Sequence, residues 1–479
     1  MRGKIKINLA APWFAVLLVS IAFPPSLCWG QFQNGSEVNL NRQFQTAVSL
    51  YQAQKYGQAR QVLTTLIQQV PNDFEINELM GLVCAGQDRN AEAGGYFAKA
   101  VRLKPQSAEA RMHLGTNLLA LHQNVQAEAE FKKAAELEPD NFDTNHNFGE
   151  FFIQARKLAA AIPYLQKAAQ IDPAAYNNAY DLALAEIKTG QYTAAKASLQ
   201  RALSHHNAAD LHSLLASADE KTGQYLQAEN EYQLAAHMDP SESNIFDWGS
   251  ELLLHHTLTA AVQVFSRGAQ LFPQSPRMEI GLGIALYSRT HYQEAISAFC
   301  RAIDLNPADP RPYMFLGKTY DISPVQAQAV TERFGRFVQL QPHNSRALYY
   351  YALCLWKAFR TQGKPAGLPK IEDLLKRSVS INPSFPDAHL QLGILFAQLR
   401  QYPEAIEQYR QAIKLQPNLA DAHYRLAQAL VRTGKKDEAQ QEFQTFSKLH
   451  EVQTAESEKQ RSEIMEFVLT SRSQSQDKH

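Results

Sequence analysis

Apolar residues recur along the chain every three and four positions, the spacing of one face of an α-helix. Residues 386–419 show the unit plainly. Leu392, Leu395, Phe396 and Leu399 share one helical face, and Ala405, Ile406, Tyr409, Ala412 and Ile413 share a second. Arg400, Gln401, Tyr402 and Pro403 join the two segments. Pro417 stops the second, because proline lacks the N–H that a helix interior needs. The pattern predicts two helices folded back on each other.

The unit repeats. Pro71, Pro105, Pro139 and Pro173 stand 34 residues apart, Asn207 takes the next place, and Pro240, Pro273, Pro307, Pro342, Pro383 and Pro417 follow. An alanine precedes most of these by twelve residues: Ala59, Ala93, Ala127, Ala161, Ala195, Ala228, Ala261, Ala295 and Ala405, with Ala439 extending the series. Four residues after each alanine comes a large apolar side chain, as at Leu63, Phe97, Phe131, Phe299 and Tyr409. A small residue opens the unit's first helix to close approach, as at Gly81, Gly115, Gly149, Gly283 and Gly393. A lone hairpin could not bury both its stripes. Stacked neighbours share one core, and stability becomes local and roughly additive along the stack.

This pattern resembles the tetratricopeptide repeat. Leu392-Gly393, Phe396, Ala405, Tyr409, Ala412 and Pro417 match its signature, as do Leu114-Gly115, Ala127, Phe131, Ala134 and Pro139. The signature's tryptophan is absent from every copy, with His389, His423, Arg111 and Tyr313 among its replacements. The resemblance implies an all-α fold, a right-handed superhelical α-solenoid of about twelve helix-turn-helix repeats over residues 40–450. The tenth repeat carries about seven extra residues within Lys357–Gly367, where Gly363, Pro365 and Gly367 read as a loop. The ninth carries one near Ser323-Pro324.

The ends read differently. Arg2, Lys4 and Lys6 precede a mostly apolar run from Leu9 to Phe23, then Cys28 and Gly30 before Gln31. Residues 1–30 are expected to be a secretory signal peptide, giving a periplasmic or secreted protein. An uncleaved membrane anchor is the alternative. Residues 31–39 read as a linker, 451–470 as a C-terminal capping helix and 471–479 as a disordered tail.

Composition removes several function classes. The 47 basic and 47 acidic residues cancel, so binding of nucleic acid by the whole surface is not expected. Cys28 lies in the leader, and Cys84, Cys300 and Cys354 form no disulfide framework or metal motif. They read as small apolar residues on helix faces. His205-His206, His255-His256, and His389 with His423 offer at most two ligands each and read as packing side chains, since structural and catalytic zinc sites use three or four ligands. No HExxH, GxSxG, GxxxxGK[ST] or EF-hand loop occurs. No catalytic residue, metal or cofactor is expected, and no stretch remains for a catalytic domain.

The groove is the remaining surface. In tetratricopeptide arrays the first helix of each repeat lines the concave face through positions 2, 5, 9, 12 and 13. Here those positions hold Phe44, Tyr51, Tyr180, Phe246, Tyr287, Tyr349, Trp356 and Tyr424. Position 5 never carries Lys or Arg, so the family's clamp for C-terminal carboxylates is not supported. Position 2 is acidic at Glu75, Glu109, Asp143, Asp210, Asp387 and Asp421, as suits the positive end of a helix dipole. Arg277, Arg311 and Arg346 break that rule in three successive repeats, and Lys318 lies further into the groove. With Tyr287, Tyr349 and Trp356 they form a candidate site for an extended, acidic partner. Their plainer role would be to pair with Asp304, Asp309 or other surface acids. The expected function is an exported protein-interaction scaffold. The alternatives are an accessory subunit of a bacterial envelope, pilus, secretion or polysaccharide-export assembly and, third, the repeat half of an enzyme such as a glycosyltransferase.

Overall fold

The computed structural model describes residues 35–362 and 367–451. The expected signal peptide, residues 31–34 of the linker, most of the expected capping helix and the expected tail lie outside the described residues. The described residues form helices and turns, in two compact units divided along the chain between Asn207 and Ala208.

The first unit holds five hairpins. They are α1 (Gly35–Gln52) with α2 (Tyr56–Gln69), α3 (Phe74–Ala85) with α4 (Asn90–Leu103), and α5 (Ala108–Ala120) with α6 (Asn124–Leu137). Then come α7 (Phe142–Gln154) with α8 (Leu158–Ile171), and α9 (Tyr176–Lys188) with α10 (Tyr192–His205). The second unit begins with α11 (Ala209–Lys221) and α12 (Tyr225–Met238), α13 (Glu242–Leu254) and α14 (Leu258–Leu271), and α15 (Pro276–Ser288) and α16 (Tyr292–Leu305). It continues through α17 (Pro310–Ile322) and α18 (Ala327–Leu340), α19 (Ser345–Gln362) and α20 (Leu368–Ile381), and α21 (Pro386–Gln398) and α22 (Tyr402–Leu415). α23 (Ala420–Arg432) and a helix over residues 436–451, α24, close the described chain. Two expected boundaries move. α1 starts at Gly35, so residues 35–39 are helix and not linker. The insertion of the tenth repeat begins as roughly one and a half further turns of α19, so Lys357 to Gln362 are helical where a loop was expected.

The repeat spacing becomes packing in a direct way. Ala59, Ala93, Ala127, Ala161 and Ala195 are fully buried in the first unit, as are Ala228, Ala261, Ala295 and Ala405 in the second. A methyl group there lets two helix backbones approach. The ring or branched side chain four residues on then fills the space between the helices before and after it, as Phe131 does against Gly115 of α5 and the rings of α7. Phe131 packs on Phe148 and Phe151, with ring centroids 6.2 and 5.4 Å away. Burying each such ring stabilises its repeat by roughly 1.5–3 kcal/mol. Cys84, Cys300 and Cys354 are free and buried in the same cores.

Within the hairpins the turn uses one left-handed residue. Gln54, Asp88, His122, Arg156 and Gly190 take it in the first unit, and Gly223, His256, Thr290, Gln326, Arg400 and Gly434 in the second. The junctions between repeats are held by a different device. The fourth residue of the first helix reaches back to the carbonyl of the repeat-ending proline. Asn77 Nδ2 donates to Pro71 O at 2.9 Å, Arg111 Nε to Pro105 O at 3.0 Å and Asn145 Nδ2 to Pro139 O at 2.9 Å. Tyr313, His389 and His423 do the same to Pro307, Pro383 and Pro417 at 3.1, 3.0 and 2.9 Å. This is the position where the repeat signature has tryptophan, and the side chains share only an N–H or O–H donor on a stem long enough to reach. Arg111 also grips Glu130 at 2.7 Å, and His389 and His423 face Gln408 and Glu442 at 2.8 and 2.5 Å. Each therefore ties a repeat junction to its own second helix.

Candidate partner-binding face and a polar cluster

α15, α17 and α19 place Arg277, Arg311 and Arg346 at their first turns. Two of the three already hold an acid. Arg277 Nε lies 2.6 Å from Glu242 Oε1, and its guanidinium stands 4.9 Å over the Phe246 ring. Burial would raise the Glu242 carboxyl, but hydrogen bonds from Ser275 and Arg277 hold it below the usual carboxylate range. Arg311 grips Asp309 with Nε and Nη2, at 3.0 and 2.6 Å, while Asp309 caps α17 by accepting the Arg311 backbone N–H at 2.9 Å. Those bonds outweigh burial and keep Asp309 low. Asp304 pairs with Arg333 and Arg336 instead. Arg346 is exposed, with Nη1 3.7 Å from Met314 Sδ, and pairs with no carboxylate among the described residues. Lys318 is exposed. Asp387 is pushed up by burial and drawn back by Lys318 and Arg346, so both cations act on one carboxyl.

The aromatic side of the expected site is not brought together as a surface. Trp356 is 6% exposed and packs with Ile371 and Leu374 in the core beneath the lengthened α19. Tyr349 lies between Tyr350 and Phe385, each ring 5.1 Å away, and burial pushes its phenol far up. Tyr287 is half-buried against Tyr292. Of the eight aromatics at groove positions only Tyr424 is exposed, at 37%. The cause is helical geometry: positions 5 and 12 border the core face, and a large ring there folds inward to bury its area. The open depression beside Arg346 is lined by Pro342, Asn344, Ser345 and Asn382, all from turns and helix starts.

In the first unit, side chains the sequence did not single out converge. His146 and Glu150 share one face of α7, and Asp181 faces them from α9. One nitrogen and two carboxylate oxygens lie within 4.8 Å of one another. His146 Nε2 is 3.8 Å from Glu150 Oε1, and its Nδ1 is 3.1 Å from Asn178 Oδ1. The Phe142 ring stacks on the imidazole at 5.3 Å. Burial raises the Glu150 carboxyl and pushes Asp181 up to about 6, with the Glu150 charge adding to it. The signal was a register rule. In this unit the fifth residue of one first helix meets the sixth of the next, 35 positions on: Glu78 meets His113 at 3.1 Å and Met112 meets Asn147 at 3.7 Å. His146 and Asp181 are the next such pair. The expectation of histidines as packing residues was drawn from other positions, and His389 and His423 do have both ring nitrogens engaged by protein atoms.

Comparison with known proteins follows the same lines. Family models described as tetratricopeptide repeat match residues 44–108, 113–176, 246–317, 152–218 and 421–450, and one described as TPR repeat matches 395–434. No curated protein sequence matches the chain. Among similar solved structures, Naa15/Naa10 bound to HypK-THB is 15% identical, covering 85% of this chain and 68% of that one, with a TM-score of 0.38. The APC/C hetero-tetramer Cut9-Hcn1 is 14% identical over 84% and 92% of the two chains, TM-score 0.38. YrrB, described as a TPR protein with an unusual peptide-binding site, is 21% identical over 38% of this chain and 96% of its own, TM-score 0.34. With the matched stretches spanning more than half of its length and the hairpin, its buried alanine and its packed ring present in both units, the chain belongs to the tetratricopeptide repeat family.

Proposed function

We propose that this chain is an exported protein-interaction scaffold whose second unit holds an extended, acidic partner segment against Arg311, Lys318 and Arg346. The observation that carries the reading is the cationic run on successive first helices, with Lys318 and Arg346 exposed, in no ion pair among the described residues, and acting together on the Asp387 carboxyl. Arg277 and Arg311 contribute less than Arg346, because Glu242 and Phe246 occupy the first guanidinium and Asp309 the second. Carboxylates of a partner would meet guanidinium forks that bind them bidentately. The aromatic residues act beneath this surface as packing. Among the described residues no helix is long and apolar enough to cross a membrane. Export rests on the cationic start, apolar run and Cys28/Gly30 pair of residues 1–30.

The test is capture of partners by the purified chain from native envelope extract, followed by affinity measurements on one identified partner. Replacing Arg311, Lys318 and Arg346 together by Glu should weaken binding at least tenfold and flatten its salt dependence, with helicity unchanged. Unaltered affinity removes this face from consideration. Intact mass of the exported protein tests the leader, and a chain still starting at Met1 would refute cleavage.

A further inference from the structure

The polar cluster in the first unit has the parts of a metal site. We propose that His146, Glu150 and Asp181 bind one divalent transition-metal cation of the zinc class, with a remaining coordination position open to solvent. The donor set is one imidazole nitrogen and two carboxylates, ligands that zinc accepts in three-ligand open sites.

The hydrogen bonding around the histidine favours this use. Asn178 is buried, and its Nδ2 donates to Leu165 O at 2.9 Å, which fixes the amide so that Oδ1 faces His146 Nδ1 at 3.1 Å. With Nδ1 engaged by that oxygen, Nε2 is the ring atom turned toward the two carboxylates and the one that would ligate a cation. An amide or carbonyl behind the ring is how metal-binding histidines are commonly oriented. Three electron-rich groups now face one another. No lysine or arginine among the described residues forms an ion pair with Glu150 or Asp181. A cation between them satisfies all three.

The reach is also right. Tetrahedral ligands at bond lengths of roughly 2.0–2.2 Å stand about 3.3 Å apart. The present separations, up to 4.8 Å, close by side-chain rotation alone, since Glu150 has three rotatable bonds and the backbones belong to packed neighbouring helices. Glu150 keeps 30% of its side chain exposed and His146 13%, which leaves an entry path.

The experiment uses the full chain, stripped with a chelator and titrated with zinc chloride by equilibrium dialysis and calorimetry. Exposed histidines elsewhere take up some zinc, so the reading is the difference between variants. Asp181→Asn and Glu150→Gln keep shape and should keep helicity, and each should weaken the tightest site at least tenfold. His146→Ala should abolish it. Zinc should slow amide exchange in α7 and α9 of the unsubstituted chain and leave it unchanged in Asp181→Asn. No tight zinc binding, or equal stoichiometry and affinity in Asp181→Asn and Glu150→Gln, overturns the proposal. Binding that survives His146→Ala would mean an oxygen-only site and overturns it as well.

Discussion

The ring of Tyr409 occupies the space that a side chain on Gly393 would need: a Cβ there would stand 2.6 Å from Tyr409 Cε1. Tyr409 is 1% exposed, so the ring has nowhere to move. Gly393→Ala gains up to about 1 kcal/mol of helix propensity and loses about 1–3 kcal/mol to overpacking, for a net loss. Gly95 in α4 is exposed with nothing within 4 Å of its would-be Cβ, and Gly95→Ala should stabilise by up to about 1 kcal/mol. Amide exchange within α21–α22 and α3–α4 reads each change locally. Stabilisation by both substitutions would contradict close approach at Gly393.

The repeat was legible in the sequence because its determinants are one-dimensional. A buried alanine, a large apolar side chain four residues later and a terminal proline recur at nearly the same interval in most copies, and each does the same physical task where it recurs. Side-chain partners were less legible. The choice of Asp309 by Arg311 could be foreseen from two residues of separation, but Glu242 and Arg277 are 35 apart and meet only through the register between repeats. The inward turn of Trp356 follows from its place beside the core face of α19, where a large ring buries its area with Ile371 and Leu374. His146 at position 5 and Asp181 at position 6 of the next repeat likewise meet only through the register between repeats.

The left-handed turn residue offers a second prediction. Thr290 has φ 64°, a conformation that a β-branched residue rarely adopts. Gly190 fills the equivalent place in the fifth hairpin at φ 81°. The strain on a non-glycine residue is about 1–2 kcal/mol, partly offset by the larger unfolded-state freedom of glycine. Thr290→Gly should therefore raise the stability of the α15–α16 hairpin by up to about 1 kcal/mol, and Gly190→Ala should lower that of α9–α10 by about as much. Urea titrations followed by hydrogen exchange decide it, and a destabilising Thr290→Gly would refute the argument.

The donor that reaches back to the repeat-ending proline offers a third. His423 is buried, and its loss leaves the Pro417 carbonyl and Glu442 without their present partner. His423→Leu, similar in bulk, should cost about 1–3 kcal/mol, the penalty for a buried polar group left unsatisfied. His423→Asn, which copies Asn77 and Asn145, should recover part of that loss by restoring the bond to the proline carbonyl. Exchange rates at the start of α23 report the bond, and equal stability of the Leu and Asn variants would show that the donor is dispensable.

Acid groups in the second unit set the expected pH response. Burial pushes Asp247 from 3.8 up to about 6, with Arg277 and Ser243 opposing and Glu220 adding. Glu251 rises from 4.5 to about 7 through burial, then Glu220 and Glu229, with Lys221 opposing. His255 Nε2 faces it at 3.1 Å, and burial holds that imidazole below its usual value. A carboxyl raised on folding binds its proton more tightly in the folded chain than in the unfolded one. Its contribution to stability is full below the unfolded value and is lost as pH rises through the folded one. The hairpin of α13 and α14 should thus be more stable near pH 5 than near pH 8, with the loss running from about 4 to about 7 and complete by pH 8. His255 works in the opposite sense, since acid must charge a ring that folding keeps neutral, and it limits the gain at the low end. Asp247→Asn and Glu251→Gln remove the ionising groups at nearly constant shape. Each should stabilise α13 at pH 8 and reduce the difference between the two pH values, read as opening free energies from amide exchange. A hairpin that grows more stable from pH 5 to pH 8, or a Glu251→Gln variant with an undiminished slope, would show that these carboxyls are not what the fold strains against.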